Sequence, residues 1–117
     1  MATYSLKHSN LNKLPLMDFK GRCCVITGGS RGIGRECALA LASKGCNIVI
    51  AAKTTEPHPT LPGTIYSVAE EVRALGAEAL PFKCDLRDAK SIEACVAATV
   101  AKFGRIDFLI NNASALW

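Results

Sequence analysis

The segment Thr27-Gly28-Gly29-Ser30-Arg31-Gly32-Ile33-Gly34 connects an apolar run, residues 23–27, to a helical pattern. Glycine permits the tight turn that such a connection needs, and it lets backbone N–H groups approach a bound anion closely. The first turn of the following helix adds unpaired N–H donors and partial positive charge. The segment therefore predicts a phosphate-binding turn between a strand and a helix.

The spacing of the glycines distinguishes between three kinds of phosphate-binding turn. A P-loop requires Lys and a hydroxyl residue after its last glycine, whereas Arg35-Glu36 follows Gly34 here. The dinucleotide motif G-x-G-x-x-G also fails, because Ser30 stands two positions after Gly28. The pattern that fits is T-G-x-x-x-G-x-G, whose fixed positions are Thr27, Gly28, Gly32 and Gly34.

Apolar runs alternate with helical patterns along the rest of the chain. Strands are predicted over residues 23–27, 46–52, 78–84 and 106–110, although Pro81 disfavours the third. Three helices are predicted between them, with apolar positions at Ile33, Cys37 and Leu41, at Ile65, Val68, Ala69, Val72 and Leu75, and at Ile92, Cys95, Val96, Thr99, Val100 and Phe103. Gly45, Gly76 and Gly104 are predicted to end these helices, and Asp88 to cap the third.

This alternation predicts an α/β fold with a doubly wound parallel sheet, right-handed crossovers and the spatial strand order 3-2-1-4. The helices beginning near Gly32 and Ser91 are expected to lie on the face opposite the helix beginning near Ile65. The alternative is that the helices share a face only in pairs, so that any two of the three lie together. The fourth strand is expected to leave an apolar edge exposed. Residues 1–20 are predicted to form an N-terminal arm rather than a targeting leader.

Three segments in the same order resemble motifs of the short-chain dehydrogenase/reductase family. The glycine spacing after residue 27 is similar to the family's nucleotide loop, and Cys84-Asp85-Leu86 looks like the segment whose Asp lies near the adenine. Asn111-Asn112-Ala113 resembles the Asn-Asn-Ala-Gly motif, with Ser114 in place of the glycine. The resemblance implies a truncated Rossmann-type domain over residues 21–117. It also implies hydride transfer between a nicotinamide cofactor and a carbonyl or alcohol substrate in a full-length protein.

The residue after the second strand predicts which nucleotide is bound. A cofactor with a free 2′-hydroxyl is usually held by an acid about 20 residues beyond the glycine loop. Lys53 stands there instead, and it would attract the 2′-phosphate that an acid would repel. Arg31 supplies a second cation, while Glu56 would oppose the phosphate if it folded back onto the ribose. We therefore expect NADP(H) in preference to NAD(H).

Cofactor contacts are expected from the three motifs and from the end of the second strand. The residues are Thr27, Gly28, Ser30, Arg31, Gly32, Ile33, Gly34, Lys53, Asp85, Leu86, Asn111 and Ala113.

The catalytic residues that the resemblance implies are not found in the chain. The family uses a Ser and a Tyr-x-x-x-Lys element downstream of the Asn-Asn-Ala motif, but Tyr4 and Tyr66 are followed four positions later by His8 and Glu70. Two interpretations remain open. The chain is the N-terminal part of an NADP-dependent oxidoreductase, or it is a short product that only binds nucleotide or a partner. Self-association is compatible with both.

Composition excludes several other classes of protein. The net charge of +4 comes with no run of Lys or Arg, so no nucleic-acid footprint is expected. No apolar stretch is long enough to span a bilayer. The six Cys contain no Cys-x-x-Cys pair, which predicts reduced thiols in an intracellular protein. The two His lack zinc-ligand spacing, so no metal site is expected. The family resemblance implies a peroxisomal or mitochondrial location.

Overall fold

Four parallel strands and three helices alternate in the computed structural model, which describes residues 18–53, 55–56 and 63–112. The elements are β1 (Cys23–Thr27), α1 (Gly32–Ala42), β2 (Asn47–Ala52), α2 (Ile65–Ala74), β3 (Ala79–Lys83), α3 (Ala89–Phe103) and β4 (Phe108–Asn111). Each predicted helix and strand is present; β1 has the predicted bounds, and the ends of the other strands differ from the predicted ones by at most two residues. The predicted N-terminal arm lies almost wholly outside the described residues. None of the described helices is long and apolar enough to cross a membrane.

The sheet has the predicted strand order, β3-β2-β1-β4, and every neighbouring pair is parallel. Val25 in the central strand β1 lies opposite Val49 of β2 on one side and Leu109 of β4 on the other. The residues of β1 are all buried, as the continuous apolar run indicates for a strand covered on both faces. Pro81 is accommodated because β3 lies at the edge of this sheet.

The distribution of the helices over the two faces follows from right-handed crossovers. Successive strands β1, β2 and β3 move across the sheet in one direction, so α1 and α2 lie on the same face. The connection from β3 returns past β2 and β1 to β4, and this reversal places α3 on the other face. The first predicted arrangement, with α1 and α3 together, was therefore wrong, and the pairwise arrangement is confirmed.

Side chains cap the second and third helices. The Thr64 backbone N–H donates to Ser67 Oγ at 2.8 Å, and the Ser67 N–H donates to Thr64 Oγ1 at 3.1 Å, which forms a capping box before α2. Asp88 accepts the N–H of Lys90 at 3.0 Å and caps α3 as predicted. Gly104 ends α3 with a φ of +73°, in agreement with the prediction.

The buried face of α1 is displaced by one residue from the predicted apolar positions. Those positions begin at Ile33, which is 75% exposed, whereas the buried residues are Gly34, Ala38 and Ala42. Small side chains on this face let the helix backbone approach the sheet closely. Ile33 consequently lies at the surface, beside the glycine-rich turn.

Only part of the predicted apolar stripe on α3 is buried. Cys95 and Thr99 are buried, but Ile92, Val96 and Val100 are 39%, 46% and 49% exposed. The stripe is therefore too wide to be covered by the sheet alone. Its exposed half remains an apolar surface without a covering element among the described residues.

Two polar contacts show which way this exposed half faces. Ser91 Oγ accepts the backbone N–H of Asp85 at 2.9 Å, and Lys102 Nζ lies 3.8 Å from Glu78 Oε2. Because Glu78 and Asp85 flank β3, the polar side of α3 faces the β3 edge, and the exposed apolar side faces β1 and β4. Leu109 is 66% exposed on the same face of the sheet. We call Ile92, Val96, Val100 and Leu109 the α3–β4 surface; it includes the apolar edge predicted for the fourth strand.

Asp107 joins the amino ends of β1 and β4. Its carboxylate accepts the Cys23 N–H at 2.8 Å and two guanidinium hydrogen bonds from Arg105 at 2.7 and 2.8 Å. Arg22 Nη1 lies 3.9 Å away. Residues 105–107 precede the strand, and β4 begins at Phe108 rather than at the predicted residue 106.

We expect stability to fall with pH as Asp107 becomes protonated. The hydrogen bonds from Arg105, followed by that from the Cys23 N–H, hold the pKa of Asp107 below its ordinary value. A lowered pKa contributes stability that is present above the unfolded pKa, about 3.9, and is lost as pH falls through the folded pKa. Asp107→Asn should lower Tm at pH 7, and its difference from the unmodified chain should shrink below about pH 4.

Thermal unfolding at several pH values tests this expectation. Asp88→Asn is the matched control, because Asn keeps a side-chain acceptor at the α3 N-cap while it removes the same charge. A Tm difference for Asp107→Asn that is equal at pH 7 and pH 3 would contradict the assignment.

Candidate nucleotide-binding site

The candidate residues after the four strands meet at one edge of the sheet. Thr27 ends β1, Lys53 follows β2 directly, Asp85 stands two residues beyond β3, and Asn111 ends β4. The strand order reverses between β1 and β4, and open parallel sheets bind ligands outside the carboxyl ends of the strands at such a point. The topology therefore brings the three predicted motifs and Lys53 to one ligand-binding edge.

The glycine-rich turn is held against the end of β4. The backbone N–H of Asn112 donates to Thr27 Oγ1 at 3.0 Å, and Thr27 Oγ1 lies 3.2 Å from Asn111 Oδ1. The side-chain Nδ2 of Asn112 donates to the carbonyl of Gly28 at 3.2 Å. Asn112 was not among the predicted site residues, although the repeated asparagine was visible in the motif. It holds the turn through the Gly28 carbonyl.

Gly34 fits because a carbonyl of the turn and the Asn112 side chain leave no room for a side chain. A Cβ there would lie 2.5 Å from the carbonyl oxygen of Gly28 and 2.6 Å from Asn112 Nδ2. Gly32 has a φ of +61°, which side-chain-bearing residues rarely adopt. Ser30 is 3% exposed, so the turn itself is well packed. The closest neighbours of Gly34 thus belong to the turn and to Asn112.

The amino end of α1 keeps its first-turn donors available for an anion. Its N-cap residue, Arg31, makes no side-chain capping bond, and the first turn contains no acid. The other two helices are capped by Thr64 and Asp88. The uncapped helix is the one that follows the glycine-rich turn, which is where a pyrophosphate would meet the N–H groups and the helix dipole.

Arg31 lies along the turn toward the segment before α2. Its Nη2 donates to the carbonyl of Gly63 at 3.4 Å, while its Nε is buried and has no hydrogen-bond partner among the described residues. A groove of about 810 Å³ between α1 and α2 includes Arg31, Ile33 and Glu71 in its lining. The groove lies beside the carboxyl edge of the sheet, and its lining includes neither Lys53 nor Asp85. It therefore adjoins the candidate site and shares Arg31 and Ile33 with it.

Asp85 lies at the carboxyl edge of the sheet, and its carboxylate is hydrogen-bonded to Arg87. Its Oδ1 accepts the backbone N–H of Arg87 at 3.0 Å and the Arg87 Nε at 3.2 Å, while Nη2 lies 3.4 Å from Oδ2. These bonds, with a smaller contribution from the charge of Lys53, lower the pKa of Asp85. The carboxylate is therefore ionised at neutral pH. The neighbouring Leu86 is 39% exposed, so an apolar side chain borders this position.

Several residues singled out in the sequence lie elsewhere. Ala113, Ser114 and His58 are outside the described residues, as is Tyr4. Tyr66 is on α2 and is 53% exposed. The described residues thus include eleven of the twelve predicted cofactor contacts, and their binding role remains a prediction.

The family follows from comparison with known proteins. The sequence model of the short chain dehydrogenase family matches residues 22–117. The chain belongs to this family. It is 58% identical over 91 residues to hydroxysteroid dehydrogenase-like protein 2 of Danio rerio and of Homo sapiens. Those matches cover 78% of the chain but 22% of each relative, so the chain spans about a fifth of their length.

Solved structures of the family have the same fold. A short chain dehydrogenase from Mycobacterium thermoresistibile is 49% identical, with a TM-score of 0.80 over 84% of this chain and 35% of that one. The NAD⁺-bound xylitol dehydrogenase is 32% identical, with a TM-score of 0.75 over 85% of this chain and 35% of that one. A metagenomic short-chain oxidoreductase in complex with NADP is 36% identical, with a TM-score of 0.75 over 86% and 42% of the two chains. Similar family members therefore bind NAD or NADP.

We expect Gly34→Ala to destabilise the chain by about 1–3 kcal/mol, because the methyl group cannot avoid the Gly28 carbonyl. Urea unfolding measures the loss. Adding Asn112→Ala to this variant removes the Nδ2 contact but leaves the carbonyl in place, so the double variant should be no more stable than Gly34→Ala alone. Recovery of stability in the double variant would show that Asn112, and not the backbone of the turn, excludes the side chain.

Proposed function

We propose that this chain binds NADP(H) across the carboxyl ends of β1, β2 and β3. The observation that supports it best is Lys53, an exposed cation directly after β2. This is the position where dinucleotide-binding folds place an acid to hold a free ribose 2′-hydroxyl. A cation there would attract the 2′-phosphate of NADP(H). It would not accept the hydrogen bond from the ribose 2′-hydroxyl by which an acid favours NAD(H).

The residues at the site fit the parts of such a nucleotide. The uncapped start of α1 and the tightly packed turn at Gly34 form a cradle for the pyrophosphate. Arg31, whose Nε has no partner among the described residues, is within the same turn and can add a hydrogen bond to a phosphate oxygen. Asp85 and Leu86 would receive the adenine, and Lys53 the 2′-phosphate. Thr27 and Asn112 would hold the turn in place.

For the longer proteins that this chain resembles, we propose an oxidoreductase function. The bound cofactor would supply hydride transfer to or from a small carbonyl or alcohol substrate. The residues described for this chain would bind and orient the nucleotide, and the chain contains no Tyr-x-x-x-Lys element to move the proton. The substrate and the catalytic residues belong to the proposal for the longer protein.

A second candidate function, binding a partner or a second copy, is supported by the α3–β4 surface. Val96 and Val100 are nearly half exposed and Leu109 is 66% exposed, and large exposed apolar surfaces commonly mark interaction sites. We favour nucleotide binding because the glycine-rich turn, Lys53 and the uncapped start of α1 all lie at the carboxyl edge of the sheet. Each of them is suited to contact a phosphorylated ligand.

We further propose a reducing, intracellular environment. The six cysteines are unpaired, and five are buried. Burial raises the pKa of Cys23 and of Cys95 to about 11, which keeps these thiols protonated and weakly reactive. They are suited to a role as core residues.

We expect NADPH to bind at least about tenfold more tightly than NADH, a difference of roughly 1.4 kcal/mol. Lys53→Asp should invert this preference, because it adds repulsion against the 2′-phosphate and restores an acceptor for the ribose hydroxyl. Fluorescence titration with both nucleotides measures the ratio. Lys44→Asp is the matched control, since it makes the same change of charge at an exposed position near the amino edge of the sheet. Equal affinities in the unmodified chain would show that Lys53 is only a surface charge.

We expect the 117-residue chain to show no dehydrogenase turnover even where it binds nucleotide. Positioned acid catalysis contributes about 10²- to 10⁴-fold in rate, and the chain has no Tyr-x-x-x-Lys element to supply it. The assay is NADPH consumption with a panel of carbonyl compounds, with a full-length family member as the positive control. Clear turnover would mean that another residue supplies the proton, and His58→Ala would be the first variant to examine.

A further inference from the structure

Asp85 and Arg87 form an ion pair at the mouth of the candidate site. The Asp85 side chain is 36% exposed and the Arg87 side chain 67% exposed, so the pair lies at the surface. Three contacts join them, two from the guanidinium and one from the Arg87 backbone N–H, all between 3.0 and 3.4 Å. The backbone contact fixes one carboxylate oxygen, and the guanidinium covers both oxygens with positive charge.

Lys53 lies near the same carboxylate without bonding to it. Ala52, the residue before Lys53, is opposite Lys83, two residues before Asp85, in the β2–β3 register. The charge of Lys53 acts on Asp85 through space, but no carboxylate lies within ion-pair distance of Lys53 among the described residues. Asp85 already has a partner in Arg87, and Lys53 is exposed.

We propose that Arg87 is a specificity-determining residue, which sets the preference for NADP(H) by neutralising Asp85 and thereby leaving Lys53 free for the 2′-phosphate. The inference rests on the proposed function, and in it Arg87 acts through Asp85. Without Arg87, the Asp85 carboxylate would repel a phosphate dianion and would also compete with it for Lys53. Both effects weaken binding of NADPH, whereas NADH has no phosphate at that position.

The affinity ratio of NADPH to NADH separates this role from a structural one. Contacts with adenine or general loss of packing change both affinities together, whereas the charge at Asp85 changes mainly that of NADPH. Arg87→Ala should lower the ratio by about 1.5- to fivefold, the range expected for an exposed ion pair. Arg87→Lys keeps the positive charge and should leave the ratio near that of the unmodified chain. The reduction in Arg87→Ala should diminish at high ionic strength.

The double variant tests whether Arg87 acts through Asp85. Asp85→Asn alone should raise the ratio, because it removes the repelling charge and leaves Arg87 in place. Combined with Arg87→Ala it should restore the ratio to the unmodified value. Arg73→Ala is the matched control, since Arg73 is an exposed arginine paired with Glu70 on α2, away from the carboxyl edge.

The experiment is fluorescence titration of the complete 117-residue chain and these variants with NADPH and NADH. An unchanged ratio in Arg87→Ala would overturn the inference while nucleotide binding by the unmodified chain still stood. A ratio that stayed low in the double variant would show that Arg87 contacts the phosphate directly, which also overturns action through Asp85. Absence of binding of either nucleotide by the unmodified chain would overturn the proposed function and this inference together.

Discussion

The contact between the glycine-rich turn and the end of β4 is the constraint on which the candidate site depends. Thr27 Oγ1 accepts the Asn112 N–H at 3.0 Å, and the Asn112 side chain donates to the Gly28 carbonyl at 3.2 Å. These bonds join residues separated by more than 80 positions in the sequence, so they can form only where β4 lies beside β1. A nucleotide bound at this turn would therefore depend on the long-range β1–β4 pairing and not only on the local glycine motif.

The same pairing produces the open side of the molecule. Right-handed crossovers place α1 and α2 on one face, where they cover β1, β2 and β3 together. The other face has α3 as its helix among the described residues, and this helix leaves Val96, Val100 and Leu109 exposed. One face is thus packed like a domain core, while the other resembles an interface. A covering element on that side would stabilise the β4 edge, and through it the turn that Asn112 holds.

The sequence predicted the fold because its signals are local. Apolar runs, glycines at helix ends and the T-G-x-x-x-G-x-G spacing each depend on residues close together in the chain, so strand order and the position of the site followed from general rules of chirality. What it did not predict depends on contacts made across the sheet. The Asn112 side chain donates a hydrogen bond to the Gly28 carbonyl in the turn after β1. The exposure of Val96 depends on which elements pack beside α3. Periodicity indicates which residues are apolar, but not how far a neighbouring layer extends.

The charges at the carboxyl edge have a common physical explanation. In a parallel sheet the carboxyl ends of all strands lie at one edge, and the start of α1 adds partial positive charge to that edge. Lys53 and Arg31 strengthen this positive region, while Asp85 places a carboxylate within it. An unpaired carboxylate there would weaken the attraction for any phosphate and would draw Lys53 toward itself. The ion pair with Arg87 would resolve this conflict, because it largely cancels the net charge that Asp85 would present to a phosphate bound nearby. Coenzyme preference in this site would then depend on a residue that need not touch the coenzyme, which is why the pattern of residues around the glycine loop alone does not reveal it.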